Sequence, residues 1–227
     1  MKVSAIIVCA GNSTRMGGVN KILLPLGNSN VIGTTLTAFE NTQSITDIVI
    51  VCRDCDRDEI KKTAHSIGIT KLHAFARGGE TRQQSVINGL KEIAADTELI
   101  AIHDGARPLV KPEHIEAAIK DASVFGGATL GVPVKDTIKV VRSGLIEDTP
   151  YRPHLYITQT PQIFKRRTYF EGVDFALEHD LDFTDDCQLA EAIGVKVYMT
   201  TGDYKNIKIT TPEDIRIAQL LWEGEEK

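Results

Sequence analysis

The chain has 227 residues, 42% of them apolar and 25% charged, with a formal net charge of −5. That is enough apolar material for a buried core, and no Pro-, Ser- or Gly-rich linker divides it, so a single domain over 1–227 is expected. The acidic balance argues against a nucleic-acid or anionic-membrane partner, which calls for a basic footprint, so any basic site must be local.

The first strand is expected at 5–9, within an apolar run (3–10) about a third of the length needed to span a bilayer. The run is too short and too poorly flanked by positive charge for a signal peptide, and bulky Val8 before Cys9 rules against a lipoprotein signal. A cytoplasmic location is predicted. Further β-branched apolar runs predict strands at 47–52, 71–76, 99–103, 128–134 and 196–200. Helical period places Val86, Leu90 and Ile93 on one face of 82–95, and Ile115, Ile119 and Ala122 on one face of 112–125. Residues 136–157 break this rhythm: two short alternating strands around Ser143-Gly144 have no helix to bury them. A lone hairpin is marginally stable, so it is expected to pack on another subunit as a dimerisation arm. Thr184-Asp185-Asp186 and Thr211-Pro212-Glu213-Asp214 read as helix starts, with a cap and carboxylates at the positive end of the dipole. The alternation predicts an α/β fold with a mostly parallel sheet, which binds ligands beyond the carboxyl ends of its strands.

Four cysteines, at 9, 52, 55 and 187, form no disulfide framework. Cys52-x-x-Cys55 follows a strand as a redox pair would, but no second pair completes a zinc set, and two small residues at a strand end is the simpler reading.

The loop after the first strand carries the chemistry. It is not G-x-G-x-x-G, because Ser13 occupies the second glycine position, and it is not G-x-x-x-x-G-K-[ST], because Gly18 follows Gly17. What remains is Gly11 for close backbone approach and two cations, Arg15 and Lys21, a combination able to hold a polyphosphate. Further along, "GGETRQQS" (78–85) is a second glycine-rich turn at a strand end, and "HDGARP" (103–108) sets an acid and an arginine after a wholly apolar strand. "KDTIK" (135–139) and "NIKIT" (206–210) each place lysine beside hydroxyl or amide groups.

In this order, CAG-x-x-x-RMG, GG-x-x-R-x-x-S, HDGARP, PV-x-DT-x-K, QTPQ-x-F, TDD and NIKIT-x-PED resemble the 2-C-methyl-D-erythritol 4-phosphate cytidylyltransferase family across residues 9–214. The resemblance implies a Rossmann-like nucleotidyltransferase fold with a β-arm crossing a homodimer. It also implies transfer from CTP, with Mg²⁺ or another divalent cation, to the polyol phosphate in the non-mevalonate isoprenoid route. It assigns Arg15, Lys21 and Lys208 to the phosphates, and Ala10, Gly11, Gly79, Arg82 and Ser85 to the nucleotide. Asp104 falls near the phosphates and metal, while Arg107, Thr137, Arg152, Thr160 and Thr184 fall at the acceptor, some across the dimer. Ser13 stands for a usual glycine, Cys9 for an alanine, and Asn20 for a proline before the lysine. Gly105 stands for the commoner alanine, a change expected to be harmless. Two alternatives stay open: a cytidylyltransferase for another polyol phosphate such as ribitol 5-phosphate, and a non-catalytic nucleotide-binding protein.

Overall fold

A computed structural model describes residues 1–11 and 20–224. Among these, the chain runs β1 (Val3–Val8), the short pair β2 (Pro25–Leu26) and β3 (Ser29–Asn30), α1 (Val31–Glu40), β4 (Ile45–Cys52), α2 (Arg57–Ser66), β5 (Leu72–Arg77) and α3 (Arg82–Leu90). It continues through β6 (Leu99–Asp104), α4 (Pro112–Phe125), β7 (Gly127–Pro133), the hairpin β8 (Val140–Arg142) and β9 (Leu145–Asp148), and β10 (Tyr156–Lys165). The last elements are α5 (Arg166–Glu178), α6 (Asp186–Ala192), β11 (Tyr198–Thr201) and α7 (Pro212–Glu223).

Seven strands form the main sheet in the order β11-β7-β10-β6-β1-β4-β5. The neighbours β6, β1, β4 and β5 are parallel, as are β7 and β11, while β10 runs antiparallel to both β6 and β7. The sheet is therefore mostly parallel, as expected. Every expected strand is present within two residues at each end. β10 is an addition, and between Thr158 and Gln162 its pairing with β7 shifts register. The helix expected at 82–95 ends at Leu90.

Alternation along each strand feeds two cores. Ile7, Ile48, Ile50 and Ala101 point to one face and pack with Leu36 and Phe39 of α1, Ile60 of α2, and Ile115 and Ile119 of α4. Their neighbours Ile6, Val49, Val51, Ile100 and Ile102 point to the other, against Val86 and Leu90 of α3, Tyr169 and Val173 of α5 and Leu189 of α6. Helices on both faces explain why these strands read as continuous apolar runs. Each Ile, Val, Leu or Phe among them contributes about 1.5–3 kcal/mol on removal from water. A third cluster, Leu26, Val31, Leu109, Ile209 and Ala218, holds α7 against the β2–β3 pair. α7 starts at the expected place, and the Asp214 carboxylate accepts hydrogen bonds from the Thr210 and Thr211 amides at 2.7 and 2.8 Å. α6 starts where expected too, capped by Asp185, which accepts from the Cys187 amide at 2.8 Å.

Among the described residues β8 and β9 pair only with each other, through a turn in which Ser143 and Gly144 have φ of 50° and 82°. All seven residues of these two strands are exposed. No helix among the described residues is long and apolar enough to cross a membrane.

The residues Cys9 and Gly105 prove to be packing partners. The Gly105 amide donates to the Val8 carbonyl at 2.9 Å, so the two strand ends lie side by side. A Cβ added at Gly105 would lie well inside van der Waals contact distance of Cys9 Sγ, with Ile7 and Ile32 closing the remaining space. Glycine at 105 is thus not interchangeable with alanine while cysteine occupies position 9. Overpacking of this kind typically costs about 1–3 kcal/mol. Gly105→Ala is expected to lower unfolding stability by that amount, and adding Cys9→Ala to recover most of it, as read from denaturant midpoints of the two single variants and the double.

Candidate functional site

The parallel strands β1, β4, β5 and β6 end at one edge, and the segments leaving them enclose a cleft of about 650 Å³. Its walls come from Val8–Gly11 after β1, Arg53–Cys55 after β4, Arg77–Arg82 after β5 and Asp104 at the end of β6, with Lys21 and Lys208 also lining it. This is the position at which open α/β sheets bind ligands. Among the described lining residues, five are cations (Lys21, Arg53, Arg77, Arg82, Lys208) and three are carboxylates (Asp54, Glu80, Asp104). A chain that is acidic overall therefore carries a locally basic cleft, suited to a polyanion.

Asp104 is the hub. Its carboxylate lies 2.8 Å from Lys208 Nζ, 3.4 Å from Arg82 Nε and 3.6 Å from Arg107 Nε. Burial alone would raise its pKa, but the Lys208 and Arg82 charges, the Lys208 hydrogen bond and Arg107 outweigh that and hold it well below the usual carboxylate range. Arg82 opens α3 and reaches in the other direction to Asp186 Oδ2 at 2.6 Å. Asp186 is buried, and Tyr169 donates to its second oxygen at 2.7 Å. Burial disfavours the Arg82 charge, but Asp186 and then Asp104 more than offset this, so its pKa is raised.

The glycine turn is built for close approach. A Cβ on Gly78 would overlap the Ala10 methyl, so the loops after β1 and β5 meet at these two residues. Ser85 is buried; its hydroxyl donates to the Thr81 carbonyl at 2.9 Å and accepts from the Gly79 amide at 3.0 Å. It braces the turn from beneath and keeps one lone pair uncommitted to these bonds.

The expected residues divide into two groups. Ala10, Gly11, Lys21, Gly79, Arg82, Ser85, Asp104 and Lys208 all line the cleft; Arg15 lies outside the described residues. The five acceptor-side residues do not line it. Arg107 touches the cleft only through Asp104, and its guanidinium donates to the Asn206 carbonyl at 2.8 Å. Thr160 is buried behind Asp104, accepting its amide at 3.1 Å. Thr184 is exposed ahead of α6, with its hydroxyl 3.4 Å from Gln188. Thr137 and Arg152 are exposed at the base of the hairpin, where Arg152 donates to the Lys135 carbonyl at 3.1 Å.

The motif reading missed Arg53, Asp54, Cys55 and Arg77 on the cleft rim, and the Tyr169–Asp186 support of Arg82. A strand-end position was the available signal for the rim; nothing local marks a pair joined across α3 and α6. The four cysteines are free thiols. Burial pushes Cys52 up to about 11 and Cys9 well above its usual value, while Cys55 is exposed.

No group of three His, Cys, Asp or Glu side chains among the described residues is arranged to cage a metal. A lining in which cations outnumber carboxylates, with Asp104 already engaged by three of them, suits a Mg²⁺ held chiefly by a ligand's phosphates and waters, and fits poorly with a protein-built metal centre.

The sheet order, the strand-end cleft and its cation cluster define an α/β enzyme of the nucleotidyltransferase class. The family model for 2-C-methyl-D-erythritol 4-phosphate cytidylyltransferase matches residues 3–223, and the chain belongs to that family. Curated relatives of that name include one from Caldanaerobacter subterraneus subsp. tengcongensis, 44% identical over 97% of this chain and 99% of its own. Another, from Pelotomaculum thermopropionicum, is 40% identical over 97% and 94%. Among solved structures, the 4-diphosphocytidyl-2C-methyl-D-erythritol synthase of Anaerococcus prevotii superposes with a TM-score of 0.88 at 31% identity, covering 97% of this chain and 96% of that one.

His103, on the strand leading to the hub, gives the site a pH signature. It is fully buried, and burial pushes its pKa from 6.5 down to about 3, with Asp104 opposing only in part. As pH falls through 6.5 the unfolded chain takes up a proton that the native chain refuses until about 3, so this contribution is present above 6.5 and lost across that window. His103→Gln is expected to show a smaller drop in urea midpoint between pH 7.5 and 4.5 than the native protein shows.

Proposed function

We propose that this chain transfers CMP from CTP to 2-C-methyl-D-erythritol 4-phosphate, releasing pyrophosphate and 4-diphosphocytidyl-2-C-methyl-D-erythritol, in the non-mevalonate isoprenoid pathway. The observation that carries this reading is the cation cluster around Asp104 at the strand-end cleft of a chain belonging to that family.

An oxygen of the acceptor phosphate forms the new bond to the α-phosphorus, and the bond from that phosphorus to the β-phosphate oxygen breaks as pyrophosphate departs. A phosphate dianion is already a nucleophile at neutral pH, so the protein's task is positioning and charge stabilisation. Lys21, Lys208 and Arg15 hold the phosphates. The Ala10–Gly11 and Gly78–Gly79 backbones and the remaining lone pair of Ser85 face the base and ribose, with Arg82 held between Asp104 and Asp186. A Mg²⁺ bound with the triphosphate would offset part of its charge, and Asp104, which lines the cleft, is the carboxylate that would help hold it. Cytoplasm is the location that goes with a CTP substrate, and one catalytic domain accounts for the whole chain.

The arm extends the reading to a homodimer. Val141, Leu145, Ile146 and Tyr151 are 56%, 74%, 64% and 69% exposed, an apolar surface on a hairpin that pairs with nothing else among the described residues. Thr137 and Arg152 flank this arm and do not line their own chain's cleft. They complete the acceptor site of the partner subunit.

Pyrophosphate release from CTP and Mg²⁺ should be seen with the methylerythritol phosphate and not with ribitol 5-phosphate; release with neither would leave only a nucleotide-binding role. Lys21→Ala and Lys208→Ala are each expected to lower turnover on the order of 10²–10³-fold, the usual effect of removing one transition-state charge contact. The denaturation midpoint of Lys21→Ala should move far less, whereas Lys208→Ala, which also strips buried Asp104 of its nearest cation, should lose stability as well. Mixing Arg152→Ala with Lys21→Ala subunits, once exchange is verified by differential tags, should restore activity, because some hybrids contain one intact site. Proven hybrids without activity would mean that each site is built from one chain.

A further inference from the structure

The residues that hold Asp104 and Arg107 in place form a hydrogen-bond chain whose direction can be worked out. His103 Nε2 lies 3.1 Å from the Arg107 carbonyl oxygen and Nδ1 lies 3.0 Å from Thr160 Oγ1. A carbonyl only accepts, so Nε2 carries the ring proton. Nδ1 of the neutral ring is then an acceptor, and the Thr160 hydroxyl donates to it. The same hydroxyl oxygen accepts the Asp104 amide at 3.1 Å. Every proton in the chain is assigned: Asp104 N–H to Thr160, Thr160 O–H to His103, His103 Nε2–H to the Arg107 carbonyl.

This chain closes a ring around the turn that bears both charged groups. His103 and Thr160 are buried, at 0% and 4% exposure, so neither is in contact with solvent to any useful extent. The imidazole is also fixed against the Phe39 ring, with centroids 4.9 Å apart. Around the same turn, the Arg107 amide donates to the Asp104 carbonyl at 3.0 Å, and Asn206 Nδ2 donates to the Thr160 carbonyl at 3.0 Å. A satisfied core histidine would need partners of any kind; this one has both ring nitrogens committed to the turn between the site's carboxylate and its guanidinium.

We propose that His103 and Thr160 are positioning residues for the transfer reaction: Thr160 sets the backbone of Asp104, His103 sets the carbonyl of Arg107, and the hydrogen bond between them couples the two. The inference rests on the transferase reading above and assigns Thr160 a place behind the carboxylate, not against the acceptor. Its action is on geometry, and a displacement of about 1 Å at reacting groups can cost on the order of 10²-fold in rate.

Two substitutions at 103 separate the halves of the chain. His103→Gln can keep a donor where Nε2 stands and loses the acceptor for Thr160; His103→Asn can keep that acceptor and loses the donor to Arg107. Thr160→Val removes the hydroxyl at nearly constant shape, and Thr160→Ser restores it. With pyrophosphate release as the readout, His103→Gln and Thr160→Val are expected to lower kcat about 10- to 100-fold, with KM for CTP within about threefold of native. Thr160→Ser should recover most of the Thr160→Val loss. The double variant His103→Gln/Thr160→Val should be little worse than either single one, since both break the same bond. Indifference of kcat to Thr160→Val in a folded protein, or a Thr160→Ser variant as slow as Thr160→Val, would overturn the proposal. Nitrogen-15 NMR of the native protein gives a measure independent of variant folding: an Nε2–H tautomer at pH 7 supports the chain, and an Nδ1–H tautomer or an imidazolium overturns it. If the native chain itself releases no pyrophosphate, the transferase reading fails and the positioning role fails with it; an active native chain with indifferent variants overturns the positioning role alone.

Discussion

A buried carboxylate is the constraint on which the rest of the site depends. Asp104 sits at the end of β6 with its charge removed from water, which is tolerable only because three cations converge on it. Arg107 comes from the turn just after β6, but the other two come from distant parts of the chain, Arg82 from the start of α3 and Lys208 from the segment before α7. One charge thus pins three regions to the same point. The dependence is mutual, since without the carboxylate the cations would face one another across a low-dielectric space.

Support continues outward from this hub in two directions. On one side, Arg82 is held by Asp186 and Tyr169, which ties the cleft to the packing of α5 and α6 against the second core. On the other, Thr160 and His103 tie it to β10 and to Phe39 in the first core. The charged groups therefore rest on both faces of the sheet. Catalysis by fixed charge gains from such an arrangement, because groups already oriented need no reorganisation when charge develops on the substrate.

The hairpin contrasts with this interior. Among the described residues its strands pair only with each other, while large apolar side chains stay in water. The base of the hairpin is nevertheless well anchored: Arg152 reaches the Lys135 carbonyl, and Lys135 lies 3.5 Å over the Tyr204 ring. An anchored base thus carries an exposed apolar tip.

The sequence by itself determined the strands buried on both faces, because a position covered on either side must be apolar whichever neighbour covers it. It also marked Gly11 and Lys21 in the loop after the first strand, while Gly79, Asp104 and Lys208 were marked only by the resemblance carried by the ordered motifs together. The hairpin was legible from its alternating strands and its Ser143-Gly144 turn. Tertiary structure alone decided the rest. β10 escaped notice because Thr158, Gln159, Thr160 and Gln162 interrupt its apolar pattern, and the buried Gln159, Thr160 and Gln162 find their partners in residues far along the chain, such as Asp203, Asp104 and Asp186. The pairing of Arg82 with Asp186, and the space shared by Cys9 and Gly105, likewise leave no periodic trace. Local pattern records which face of an element is buried; which side chains meet there depends on how the elements are stacked.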